Sequence, residues 1–102
     1  MEKKKISRLR AHGWQIGSAA DFLGLTPQEA AYVEMKASLA RQLNQRRQAR
    51  GLTQTQVARL VRSSQSRVAK MEKSDDTVSL DLLVKTLFAL GASRVDIARA
   101  VR

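Results

Sequence analysis

The sequence predicts an all-α fold of five helices, and three observations carry that expectation. Apolar residues recur at helical spacing through most of the chain, and no stretch alternates convincingly as a strand would. Thr26, Thr53, Ser64, Ser79 and Ser93 stand where helix caps belong, and Gly51 and Gly91 stand where two helices should stop. One Pro, five Gly and few β-branched runs give a composition that favours helices.

Residues 1–20 combine "EKKK" and "SRLR" with glycines around "HGWQIGS", and their periodicity is weak. An arm or extension, residues 1–25, is therefore expected ahead of a folded domain, 26–102. "TPQE" at 26–29 reads as a helix start: Thr26 caps, Pro27 suits the first helical position and Glu29 completes a capping box. That helix should run to Gly51 and bury a stripe of Tyr32, Met35, Leu39 and Leu43.

Thr53 caps a second helix, about 54–61, with Val57, Ala58 and Val61 inward. After a turn at Arg62 and Ser63, Ser64 caps a third, about 65–72, with Val68 and Met71 inward. "KSDDTVS" is a polar loop. Ser79 opens a fourth helix carrying Leu80, Leu83, Val84, Leu87 and Phe88, closed by Gly91. A fifth begins at Ser93 or Asp96 and carries Val95, Ile97 and Val101.

With 102 residues, 43% apolar and 27% charged, the chain suits one domain with a modest core built from Leu, Val, Ala and Ile. It contains no Cys, and His12 is its single imidazole, so neither a thiolate nor a histidine metal site is expected. No cofactor is implied. No apolar run approaches the ~20 residues that span a bilayer, so a cytoplasmic protein with no membrane association is expected. The net charge is +10, with +2 on residues 1–40, +8 on 41–73 and 0 on 74–102. Clustering of that kind points to a polyanionic partner.

The segments 54–61 and 65–72, joined by a tight turn, make a helix-turn-helix unit. Its packing needs a small residue at the crossing, supplied by Ala58, and apolar anchors, supplied by Val57, Val61, Val68 and Met71. Gln65, Ser66 and Lys70 then project outward from the third helix, and Gln54 stands at the start of the second.

The run "GLTQTQVARLVRSSQSRVAKMEKS" resembles the XRE/Cro-type helix-turn-helix of phage repressors and bacterial regulators, through Gly51, Leu52, Thr53, Gln54, Ala58, Ser64, Gln65, Ser66, Val68 and Glu72. The resemblance implies a five-helix, lambda-repressor-like domain over roughly 28–102 with an N-terminal extension. It departs from the family pattern where Arg62 stands for the turn glycine, Ser63 for an apolar turn residue and Lys73-Ser74 for the closing pair that ends in glycine. A residue forced to positive φ costs on the order of 1 kcal/mol, so either the turn relaxes or Arg62 is kept there to reach a phosphate.

In such proteins the third helix enters the DNA major groove. The resemblance thus implies a repressor that binds a palindromic operator in double-stranded DNA as a homodimer. Gln65, Ser66 and Lys70 would read base edges, and Arg67 would read a base or hold a phosphate. Gln54, Ser64, Arg50, Arg62 and Lys73 would contact the DNA backbone. Arg47 would pair with Glu72 inside the fold, tying the first helix to the third. Leu87, Leu90, Val95, Ile97 and Val101 would either form the dimer surface or complete the core. "FLGLTPQEAAYVEMKASLARQL" is similar to HigA-type antitoxins, which implies an alternative: residues 1–25 neutralise a small toxin while the domain represses its own operon. A third reading makes the Lys-rich start a minor-groove arm.

Other constellations carry less. Asp75-Asp76 reads as a pair of turn or capping acids, Arg41 and Arg59 as solvated cations, and Trp14 as a local packing residue. No imidazole accompanies the serines outside the N-terminal segment, and no Gly-rich phosphate loop occurs, so no enzyme is expected.

Overall fold

The computed structural model describes residues 24–102. Expectations for residues 1–23, including His12, Trp14 and nearly all of the basic extension, lie outside the described residues. Five helices occur among the described residues, without strands: α1 (Pro27–Ala49), α2 (Gln54–Leu60), α3 (Gln65–Glu72), α4 (Leu80–Ala89) and α5 (Arg94–Val101). Contacts divide the chain within α1, and one compact unit runs from Lys36 to Arg102.

Each start follows from a side chain that satisfies otherwise unpaired helix N–H groups. The Thr26 hydroxyl accepts from the Glu29 N–H at 3.1 Å while the Glu29 carboxylate accepts from the Thr26 N–H at 3.0 Å. That backbone bond holds the exposed Glu29 carboxyl below its usual range. Thr53 and Gln56 form the same reciprocal pair at α2, and Ser93 and Asp96 at α5. Both candidates for the fifth start are therefore used, Ser93 as cap and Asp96 as its return partner. Ser64 and Ser79 cap α3 and α4 through the N–H groups of Arg67 and Leu82. Gly51 (φ 67°) ends α1, with Leu52 N–H donating to the Arg47 carbonyl at 3.1 Å.

The core of the 36–102 unit joins Leu39, Ala40 and Leu43 of α1 to Val57 and Ala58, Val68 and Met71, and Leu83 and Leu87 of the following helices. Val78 anchors the loop before α4, and Leu90 and Ala92 close the end beyond it. Thr86 is fully buried, with its hydroxyl donating to the Met71 sulfur at 3.5 Å.

Three expectations about packing are corrected. Tyr32 is 46% exposed and Met35 only half-buried, so apart from Ala30 the buried residues of α1 are Lys36, Ala37, Leu39, Ala40 and Leu43. The periodicity shared by all these residues defines a face but not where its neighbours begin. Val61 is half-buried because it is the C-cap of α2, past the crossing at Ala58. The C-terminal apolar set is split: Leu87 and Leu90 are core, Ile97 is half-buried, and Val95 (58%) and Val101 are exposed, as is Phe88 of α4. α5 buries no residue completely, and an Arg46–Asp96 ion pair at 3.2 Å ties it to α1.

Candidate nucleic-acid interface

α2 and α3 cross with Val57 and Ala58 against Val68 and Met71, all buried. Fixing those inward residues leaves Gln65, Ser66, Arg67 and Lys70 exposed on the other side of α3. The turn keeps a left-handed residue, Arg62 at φ 56°, and Ser63 N–H donates back to the Ala58 carbonyl at 2.8 Å. The turn has therefore not relaxed around the arginine. Ser74, the second position where the resembled family carries glycine, is also left-handed at φ 55°.

One flank of α3 is held by a network centred on Glu72. Arg47 Nε donates to Oε2 at 2.6 Å and its Nη2 to Oε1 at 3.1 Å, a two-point grip that fits the planar guanidinium. The third guanidinium nitrogen, Nη1, donates to the Leu52 carbonyl at 2.9 Å, bracing the α1–α2 turn. Asn44 Nδ2 and Gln54 Nε2 also donate to Glu72 Oε1, at 2.7 and 3.2 Å. Burial pushes the Glu72 carboxyl up, but the bonds from Arg47, Asn44 and Gln54 outweigh it and hold the carboxyl below its usual range. From this anchor the network reaches the surface: Gln54 Oε1 accepts from Gln65 Nε2 at 2.6 Å.

The profile of a helix-turn-helix domain family matches residues 38–100, the span that holds this capped bihelical pair. The chain belongs to the helix-turn-helix domain family. No curated protein and no solved structure gives a match.

On the opposite flank of the helix-turn-helix, Ser64, Ser66, Arg67 and Lys70 line a cleft of about 200 Å³ whose far wall is Thr77 and Val78. The loop forming that wall is tied down at Asp75. Asp75 N–H donates to the Lys70 carbonyl at 3.0 Å, and its own carbonyl accepts from the Val78 N–H at 3.0 Å and from Lys36 Nζ at 2.9 Å. Its carboxylate accepts from the Thr77 N–H and hydroxyl at 2.9 and 2.7 Å.

The remaining sequence candidates are dispersed around the helix-turn-helix. Arg62 is exposed at the turn and Lys73 at the C-cap of α3. Arg50 is also exposed, but its Nη1 donates to the Leu90 carbonyl at 2.9 Å, so part of its guanidinium closes the end of α4. Arg41 and Arg59 are exposed. Sequence reasoning overlooked Asn44 and Lys36 of α1 and Thr77 of the loop, whereas Asp75 acts as the turn acid it was read to be. Asn44 lies three residues before Arg47, on the same face of α1, and that spacing was the available signal. Nothing local pointed to Lys36, a largely buried amine whose carbonyl acceptor lies 39 residues away.

Among the described residues no cluster of three or more His, Cys, Asp or Glu is placed to hold a metal, and no helix is long and apolar enough to cross a membrane.

Proposed function

We propose that this helix-turn-helix protein is a sequence-specific transcriptional regulator, a repressor that inserts α3 into the major groove of double-stranded DNA. It is not an enzyme on this reading and uses no cofactor. The observation that carries the proposal is the sorting of α3, with Val68 and Met71 buried beneath exposed Gln65, Ser66 and Lys70. The excess of +8 charges on residues 41–73 supplies the attraction to phosphate.

Gln65 sits at the tip of α3 with its amide nitrogen donated to Gln54, which orients its side chain before DNA arrives. An oriented amide pairs with the N6 donor and N7 acceptor of adenine, and Lys70 donates to the acceptors of guanine. Ser66 bonds several edges. Gln54, Ser64, Arg62 and Lys73 surround these groups and contact the phosphate backbone, with Arg50 at its edge. Gln54 and Ser64 lie at helix starts, where N–H groups favour anions. A homodimer on a palindromic operator gives two such helices one DNA turn apart, and the exposed apolar side chains Phe88, Val95 and Val101 are candidates for the pairing.

A duplex array followed by salt titration tests this reading. A defined preferred site is expected, with affinity falling about 10³-fold between ~50 and ~200 mM salt for a dimer that neutralises around six phosphates. Salt-independent binding overturns it.

A second reading follows the similarity of "FLGLTPQEAAYVEMKASLARQL" to HigA-type antitoxins. In it the extension, residues 1–25, neutralises a small toxin while the helix-turn-helix represses the shared operon. Deleting residues 1–20 then abolishes toxin neutralisation and leaves DNA binding intact. Loss of DNA binding instead assigns those residues to a minor-groove arm.

A further inference from the structure

Arg67 is the one candidate whose role the sequence leaves open between base and backbone, and its place in the structure bears on that choice. At ~100° per residue, Gln65 and Arg67 are about 200° apart and therefore occupy opposite flanks of α3. The contacts agree, since Gln65 turns to Gln54 while Arg67 lines the cleft against Thr77 and Val78. A helix about 10–12 Å across with its side chains nearly fills a major groove about 12 Å wide. Its outer ridge and its N-terminal tip then meet the bases, and a side chain set back on a flank meets a sugar-phosphate wall.

We propose that the cleft beside α3 seats a phosphate of the DNA backbone, with Arg67 as its cation, and that Arg67 takes no part in base reading. The inference rests on the DNA-binding reading above and adds a backbone site on the α3–α4 side. The cleft offers a planar guanidinium suited to two phosphate oxygens, while Ser66 and Lys70, which border the same cleft from the outer ridge of α3, stay turned to the bases. The Ser64 hydroxyl adds a donor: its oxygen accepts the Arg67 N–H, and its own proton is available to donate. The Asp75 carboxylate is engaged within the loop, accepting from the Thr77 N–H and hydroxyl. The anchored loop also gives the cleft a wall formed before binding, which lowers the ordering cost.

The test uses the full chain, its preferred duplex and a scrambled duplex, with single phosphates replaced in turn by uncharged methylphosphonate. Arg67→Gln, at an exposed position, should keep the wild-type melting temperature. It should lose roughly tenfold in affinity, equally on both duplexes, with the salt slope reduced by about 1. One methylphosphonate position per half-site should weaken the wild type and leave Arg67→Gln unaffected. The inference is overturned if Arg67→Gln changes the preferred base at any position, or if every methylphosphonate weakens both proteins alike. A wild type that binds neither duplex at low salt removes the DNA-binding reading itself, and this inference with it.

Discussion

The two flanks of α3 use the same kinds of side chain in opposite ways. On the Gln54 flank, Arg47 and Glu72 are joined at 2.6 Å, with their side chains 16% and 6% exposed, and two amides complete the shell. On the cleft flank, Arg67 is exposed beside the hydroxyls of Ser64 and Thr77. A charge enclosed within the fold acts on stability, whereas a charge left on an open wall acts on a partner. The same helix thus has one side that fixes its position and another that remains for binding.

The largest expected effect separates those sides directly. Glu72→Ala leaves Arg47 without its carboxylate and should cost about 3 kcal/mol, as when one partner of a buried pair is removed. Calorimetry should show the melting temperature falling by roughly 10–20 °C. Arg67→Ala should stay within about 0.5 kcal/mol of wild type. Equal sensitivity of the two would erase the contrast between the flanks.

Next comes the tip of α3. Gln65→Ala should remove about 1–3 kcal/mol of discrimination at a single base pair in a duplex array, with little change in melting temperature. Gln54→Ala, which removes the group that orients Gln65, should weaken the same base preference in part and also lower stability through Glu72. A preference unchanged by either substitution would show that the Gln54–Gln65 bond has no part in recognition.

The two left-handed positions sharpen the comparison further. Arg62→Gly and Ser74→Gly should each stabilise the fold by about 1 kcal/mol, because glycine accepts positive φ without the Cβ penalty. If Arg62 holds a phosphate, its replacement should raise the melting temperature while lowering DNA affinity, and Ser74→Gly should raise the melting temperature alone. Matching affinities for the two variants would mean that the strain at Arg62 serves no contact.

The smallest effect is in acid. The folded-state Glu72 carboxyl lies below its ordinary value. It therefore contributes stability above about pH 4.3 that is lost as pH falls through the folded-state value. Glu72→Gln should start from a lower melting temperature and fall less steeply on acidification than wild type. Glu29 and Asp96, whose carboxyls are held low chiefly by the N–H groups of Thr26 and Ser93, should preserve part of the acid dependence. An unchanged acid limb in Glu72→Gln would remove Glu72 from this account.

How much could be read in advance differs by element. The starts of all five helices were legible because a cap is a bond between residues two or three apart, as at Thr53, Ser64 and Ser79. The inward set of α2 and α3 was legible apart from Val61, where the helix ends. In α1 the periodic stripe extended too far toward Tyr32, since spacing fixes a direction around the helix axis and says nothing about what lies opposite. Leu87 and Val95 looked alike in sequence, yet only the first has neighbours on every side.

By itself, then, the sequence determined the all-α class, the caps and stops, the basic segment and the outward ridge of α3, because each depends on bonds or angles within a turn or two of backbone. Tertiary structure alone decided that Asn44 joins Arg47 on Glu72, that Gln54 bridges Glu72 to Gln65, that Arg50 reaches Leu90, and that Arg67 faces the loop at Thr77. Those partners are 10 to 40 residues apart in the chain and meet only after the helices pack around Leu39, Leu43, Val57 and Met71. Spacing specifies which way a side chain points; the packing of other elements specifies what it meets.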